Sequence, residues 1–223
     1  MTALRRAALA CTAALASAAL AGAATGCGAK SPDYQSIWSN GSTTSTTSEA
    51  PQPPVTVGRF LEDSGVVAEA VAPDALTDLT VSIPTPRGWT KKENAMLPAT
   101  TLVIGKGEKL PRAILSLVKL NGNFDSREAI KHGVVDAQLS KNFRLLDASN
   151  EDYQGFPSSM VQGTHDMDGQ RLHSWFRMVI ATGAAPADQR YLVQLAITSF
   201  NEQAPKEAAD VEAIMNGFTV AAK

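Results

Sequence analysis

Between Leu79 and Ile83 apolar and polar positions alternate, with Leu79, Val81 and Ile83 set against Thr80 and Ser82. That is the period of a half-buried strand, and Pro84 and Pro86 end it before Gly88-Trp89. Upstream, Phe60, Leu61, Val66 and Val67 predict a short element within Val57 to Val67. Thr101 to Ile104 reads as a strand, Lys106 to Pro111 as a turn, and Ala113 to Leu120 as a strand apolar on both faces, hence central or covered on both sides. Asp125 with Glu128 three residues later has the form of a capping box, opening a helix that carries Ile130, Val134, Val135, Ala137 and Leu139 and ends near Asn142.

Phe143 to Ala148 is the next predicted strand. Met160–Asp166 then pairs with Gln170–Ile180 through Asp168-Gly169, a dipeptide that accepts positive φ without strain. Gln189 to Phe200 forms a long strand with Tyr191, Val193, Leu195 and Ile197 on one face and Leu192, Ala196 and Phe200 on the other. A closing helix starts at Pro205, carries Ala208, Val211, Ile214 and Met215 on one stripe and stops at Gly217, and Phe218 to Val220 forms a last short strand. This order predicts an α+β fold, a mostly antiparallel sheet with helices on its faces.

The pattern changes towards the N-terminus. Arg5 and Arg6 precede Ala7 to Ala24, nearly all Ala and Leu, which reads as a secretory leader over residues 1–26. Gly26-Cys27 resembles a bacterial lipobox, although Ala24 stands where that pattern prefers Leu. Diacylation of Cys27 would supply two chains, enough for stable anchoring at about 0.8 kcal/mol per buried CH₂. The alternative is simple cleavage after a small-x-small site. From residue 27 to 57 the run Ser42 to Ser48 and Pro51, Pro53 and Pro54 cannot bury enough apolar surface to fold, which predicts a stalk, unmodified or O-glycosylated. The folded domain is then expected over 58–223.

Composition narrows the chemistry. The net charge of −2 becomes −4 once Arg5 and Arg6 leave with the leader, without a block of either sign, so no nucleic-acid footprint is present. Both cysteines, Cys11 and Cys27, precede the domain, which therefore has no disulfide, thiolate metal site or cysteine nucleophile. The cluster His165, Asp166, Asp168, Arg171 and His173 would suit a metal. With Asp168-Gly169 as turn residues, however, Asp166 faces Arg171, His165 faces Leu172 and Thr164 faces His173, so the histidines point to opposite sides. A structural hairpin is the expectation, with a cross-strand ion pair of about 0.2–1 kcal/mol, no metal and no cofactor. No G-x-S-x-G occurs; Ser158-Ser159 reads as turn chemistry and Gly105-Lys106-Gly107 as a hairpin connection. Lys131 and His132 read as the exposed face of the first helix. For recognition the candidates are Trp89, Met96, Trp175 and Phe176. Trp89 would either staple its loop onto the sheet or line a cleft, and Met96 would sit on a lip beside it.

Cys27-Gly28 with Ser31-Pro32-Asp33, Leu76 to Pro86 through Gly88-Trp89, Gly155 to Met160, and Gln189 to Leu195 together resemble the LpqT/LpqN lipoprotein family of mycobacteria. The resemblance implies a lipid-anchored protein on the outer face of the cell membrane, with a fold similar to the Mog1 and PsbP proteins and no catalytic motif to carry over. The expected role is a binding or accessory module for an envelope lipid, a glycolipid or an envelope protein; the alternatives are an envelope hydrolase or a purely protein-facing module.

Overall fold

The computed structural model describes residues 54–223, so the leader, Cys27 and most of the expected stalk lie outside the described residues. Thr56 caps helix α1 (Val57–Asp63) by accepting from the Arg59 N–H, and Val57 is 1% exposed. The domain thus begins at the two residues assigned to the end of the stalk, because Val57 is a core residue. Gly65, at φ 70°, closes this segment, and the element predicted over Val57–Val67 becomes a helix followed by strand β1 (Val67–Val71).

A 3₁₀ turn at Pro73–Ala75 leads into β2 (Leu79–Ser82), and β3 (Thr90–Lys91), β4 (Leu102–Gly105) and β5 (Arg112–Asn121) follow. The helix predicted from Asp125 is present but broken, as α2 (Ser126–Ile130) and α3 (Gly133–Gln138). Asp125 caps α2 by accepting from the N–H groups of Arg127 and Glu128. Glu128 does not return the favour; it pairs with Lys131 at 2.5 Å. A Cβ at Gly133 would sit 2.6 Å from Ser159 Cβ, so α3 starts in direct contact with that residue. Lys131 is exposed, but His132 is half-buried at the break, its ring centroid 5.2 Å from that of Phe60.

β6 (Arg144–Ser149), β7 (Ser158–Met167), β8 (Gln170–Thr182) and β9 (Arg190–Phe200) form a meander, and α4 (Ala204–Gly217) and β10 (Thr219–Ala222) close the chain. The main sheet has the order β3-β4-β5-β9-β8-β7-β6, with β1 also on β5; β2 and β10 form a separate two-stranded sheet. All pairings are antiparallel. The outer edge of β5 is divided, Arg112–Leu115 pairing with β4 and Leu117–Asn121 with β1.

The central strands β5, β8 and β9 carry apolar residues on both faces because both faces are covered. On one side Leu115, Leu117, Trp175, Val193 and Leu195 pack with Leu79, Val81, Ile214, Phe218 and Val220, under β2, β10 and α4. On the other, Val118, Leu120, Phe176, Ile180 and Leu192 pack with Val57, Leu61, Ala129 and Ile130 of the short helices. Each aliphatic or aromatic side chain so buried contributes about 1.5–3 kcal/mol. The two faces predicted for β9 divide between these two cores, except that the half-buried Phe200 joins neither.

Candidate functional site

The four recognition candidates do not converge. Trp89 is 4% exposed and packs in the core beneath α4. Its Nε1 donates to Asp210 Oδ2 at 3.0 Å, and Lys106 Nζ reaches the same carboxylate at 3.0 Å and Glu207 at 3.2 Å. The Trp89 and Lys106 hydrogen bonds hold the Asp210 carboxyl below its ordinary range. Trp89 therefore staples its loop to α4, and Lys106 ties the β4–β5 turn to the same helix. Trp175 lies in that core and Phe176 in the one across the sheet, as neighbours on a strand must. Their side chains are taken up in packing, while Met96 is 91% exposed in a loop.

Sequence reasoning missed a polar node beside Trp175. The Arg177 guanidinium stacks over Tyr153 at 4.3 Å and lies 5.4 Å from the Trp175 ring, and it donates to Ser158 Oγ at 3.1 Å. Burial lowers its pKa. Tyr153 stacks on Phe218 at 5.3 Å and donates its hydroxyl to the Phe218 carbonyl at 2.7 Å. Gln154 accepts from Val220 N–H at 2.7 Å. This node locks β10 to the main sheet. Ser158 donates to the Glu151 carbonyl at 2.5 Å, and Ser159 is buried against α3, so both serines serve the fold.

At the β7–β8 turn the register is the one predicted, Asp166 opposite Arg171 and Thr164 opposite His173, around Asp168 (φ 51°) and Gly169 (φ 74°). Arg171 Nη1 reaches Asp166 at 3.0 Å and the Asn142 carbonyl at 2.8 Å, its other nitrogen donates to Thr164, and Asn142 Nδ2 donates to Asp166 at 2.6 Å. Asn142, then Arg171, keep the Asp166 carboxyl below its usual range. Burial takes His165 down to about 4 and also lowers His173, which shares a 2.9 Å hydrogen bond with Gln162. Lys141, Asp166, Met167, Gln170 and Arg171 line a shallow concavity of about 250 Å³. Beyond it, Leu139, Leu145 and Leu146 are 51%, 48% and 52% exposed, all on the segment from the end of α3 through β6. β6 is the terminal strand of the main sheet.

The structure therefore defines an α+β domain, one antiparallel sheet covered on both faces, whose buried polar groups bind its own elements together and whose exposed features are surfaces. The chain belongs to the family described as "Probable lipoprotein LpqN", which matches residues 53–221. It is 55% identical to LpqT of Mycobacterium tuberculosis over 210 residues, covering 94% of this chain and 93% of that one. The identity to LpqT of Mycobacterium leprae is 49% over 200 residues, 90% and 91% of the two chains. Among solved structures, LpqN of M. tuberculosis, described as involved in cell envelope biogenesis, superposes with a TM-score of 0.65 over 76% of this chain and 99% of its own. At 16% identity that likeness concerns the fold alone.

Proposed function

We propose that this chain is a cell-envelope lipoprotein held on the outer side of the cell membrane by a diacylglycerol on Cys27, and that its domain is a non-catalytic accessory module working by surface contact. The observation that carries the anchor is the reach of the LpqT relationship. That alignment leaves 13 of 223 residues outside it, fewer than the 26 that precede Cys27, so the kinship crosses Gly26-Cys27 and is not confined to the domain. Two acyl chains at about 0.8 kcal/mol per buried CH₂ make the attachment stable.

The surface-contact part is supported by where the side chains go. Trp89, Trp175 and Phe176 pack in the cores, and the polar nodes at Arg177 and Asp210 join one element to another. While the exposed Val67 and Met96 lie on β1 and in the loop before β4, three exposed leucines, Leu139, Leu145 and Leu146, cluster on the segment running into β6, near the charged β7–β8 turn. The domain would engage an envelope lipid headgroup, a glycolipid or an envelope protein there, in keeping with the envelope-biogenesis description of LpqN. Replacing Cys27 with Ser should move the protein from washed membranes to the soluble fraction and abolish incorporation of labelled fatty acid. Retention on membranes would refute the anchor.

A further inference from the structure

The outermost strand of the main sheet carries a pattern that the fold does not use. Among the described residues no strand pairs with the outer edge of β6, which reads Arg144-Leu145-Leu146-Asp147 at its start. Edge strands are guarded by charges and bulges because their free backbone groups invite pairing, and β6 has both. Its register against β7 puts Arg144 opposite Thr164, Leu145 opposite Gly163 and Asp147 opposite Gln162, with Leu146 the extra residue of a bulge.

The bulge changes which residues share a face. Thr164 and Gln162 are two apart on β7 and so point to the same side, and their partners Arg144 and Asp147 do as well, though they are three apart in sequence. An antiparallel neighbour must present residues of the same face directly opposite one another. A second copy of β6, related by a two-fold axis passing between Leu145 and Leu146, meets that condition at Arg144 and Asp147. Arg144 then faces Asp147 of the partner subunit and Asp147 faces Arg144 of the partner subunit, while the exposed leucines of both copies meet at the axis. In an unbulged strand the same sequence would send Arg144 and Asp147 to opposite faces.

We propose that β6 is a self-pairing edge, on which a second copy of this chain docks antiparallel through its own Arg144-Leu145-Leu146-Asp147. The order of charges selects the occupant: it matches itself when reversed, whereas a strand with like charges at these positions is repelled. This rests on the surface-contact reading above and is independent of the anchor, so a failure here leaves the Cys27→Ser result standing.

The test is sedimentation velocity of the purified full chain in detergent across a concentration series. Wild type should sediment as two copies per particle at high concentration. Arg144→Asp and Asp147→Arg, each made alone at an exposed position, lose two attractive pairs and gain two repulsive ones, raising the dimer dissociation constant about ten- to hundredfold. The combined exchange Arg144→Asp with Asp147→Arg restores the pairs in reverse and should recover the wild-type constant. A chain that stays single at every concentration overturns the proposal. So does a dimer indifferent to both single exchanges, as association through the lipid anchor would be, or a combined exchange as weak as either single one.

Discussion

Asp136 is an aspartate in the core, 4% exposed on α3, and it offers the sharpest test of the energetics. One oxygen accepts from the Val57 N–H, a first-turn donor of α1 that has no partner within its own helix, and Oδ2 has no hydrogen-bond partner. Burial outweighs the Val57 bond and pushes the carboxyl from its ordinary 3.8 up to about 6. The folded protein thus holds a proton that the unfolded chain has released, and stability falls as pH rises through that window and levels off above it. At about 1.4 kcal/mol per unit, a shift of roughly two units is worth about 3 kcal/mol at pH 7.5 and about 1 kcal/mol at pH 4.5. His165 acts with the opposite sign: held neutral down to about 4, it costs stability as pH falls below its ordinary 6.5. The two conceal one another in the wild type between about pH 4 and 6.5.

Asp136→Asn keeps the acceptor for Val57 and removes the titration. Urea unfolding of wild type and variant should therefore show their difference in stability moving by about 2 kcal/mol between pH 4.5 and 7.5, with the variant gaining at the alkaline end. The variant alone should then show the slope expected of the histidine, less stable in acid. A difference that stays constant across that range would refute a buried, protonated Asp136 in the native state.

The other expectations concern packing. Trp89→Phe removes the donor to Asp210 and part of the indole volume, and should cost about 1–3 kcal/mol in urea unfolding without changing membrane attachment. Gly133→Ala places a methyl 2.6 Å from Ser159 Cβ, so it should destabilise by about 1–3 kcal/mol despite the better helix former. Combining it with Ser159→Gly should return part of that loss; if it returns none, the close approach of Gly133 to Ser159 is not the cause of the destabilisation.

What could be read from sequence was what neighbours along the chain determine. Asp168-Gly169 fixed the turn, the turn fixed the register of β7 and β8, and alternation in β9 assigned each side chain to a face. Where distant partners decide, sequence reading failed. The helix from Asp125 is broken before Gly133, which meets Ser159 in a contact that helical periodicity does not encode. For Trp89 the sequence left two readings, a staple or a cleft lining, and what separates them is Asp210, 121 residues away, which ties it to α4. That Leu145 and Leu146 stand exposed on a terminal strand could not be read either, because strand order is a property of the assembled sheet. Arg177 carried no signal at all, since its aromatic partner Tyr153 sits in the loop between β6 and β7.

The divided outer edge of β5 bears on how far any growth by strand addition could go. A protein with two long free edges can add copies at both and polymerise. Here the far side is cut into β1, five residues long, and β3, two residues long, neither continuous with the other. Among the described residues of the main sheet, copies joined at β6 would present only these fragments outward, and a two-fold contact consumes the edge that makes it. Pairing therefore terminates at two, which separates a discrete complex from a fibre.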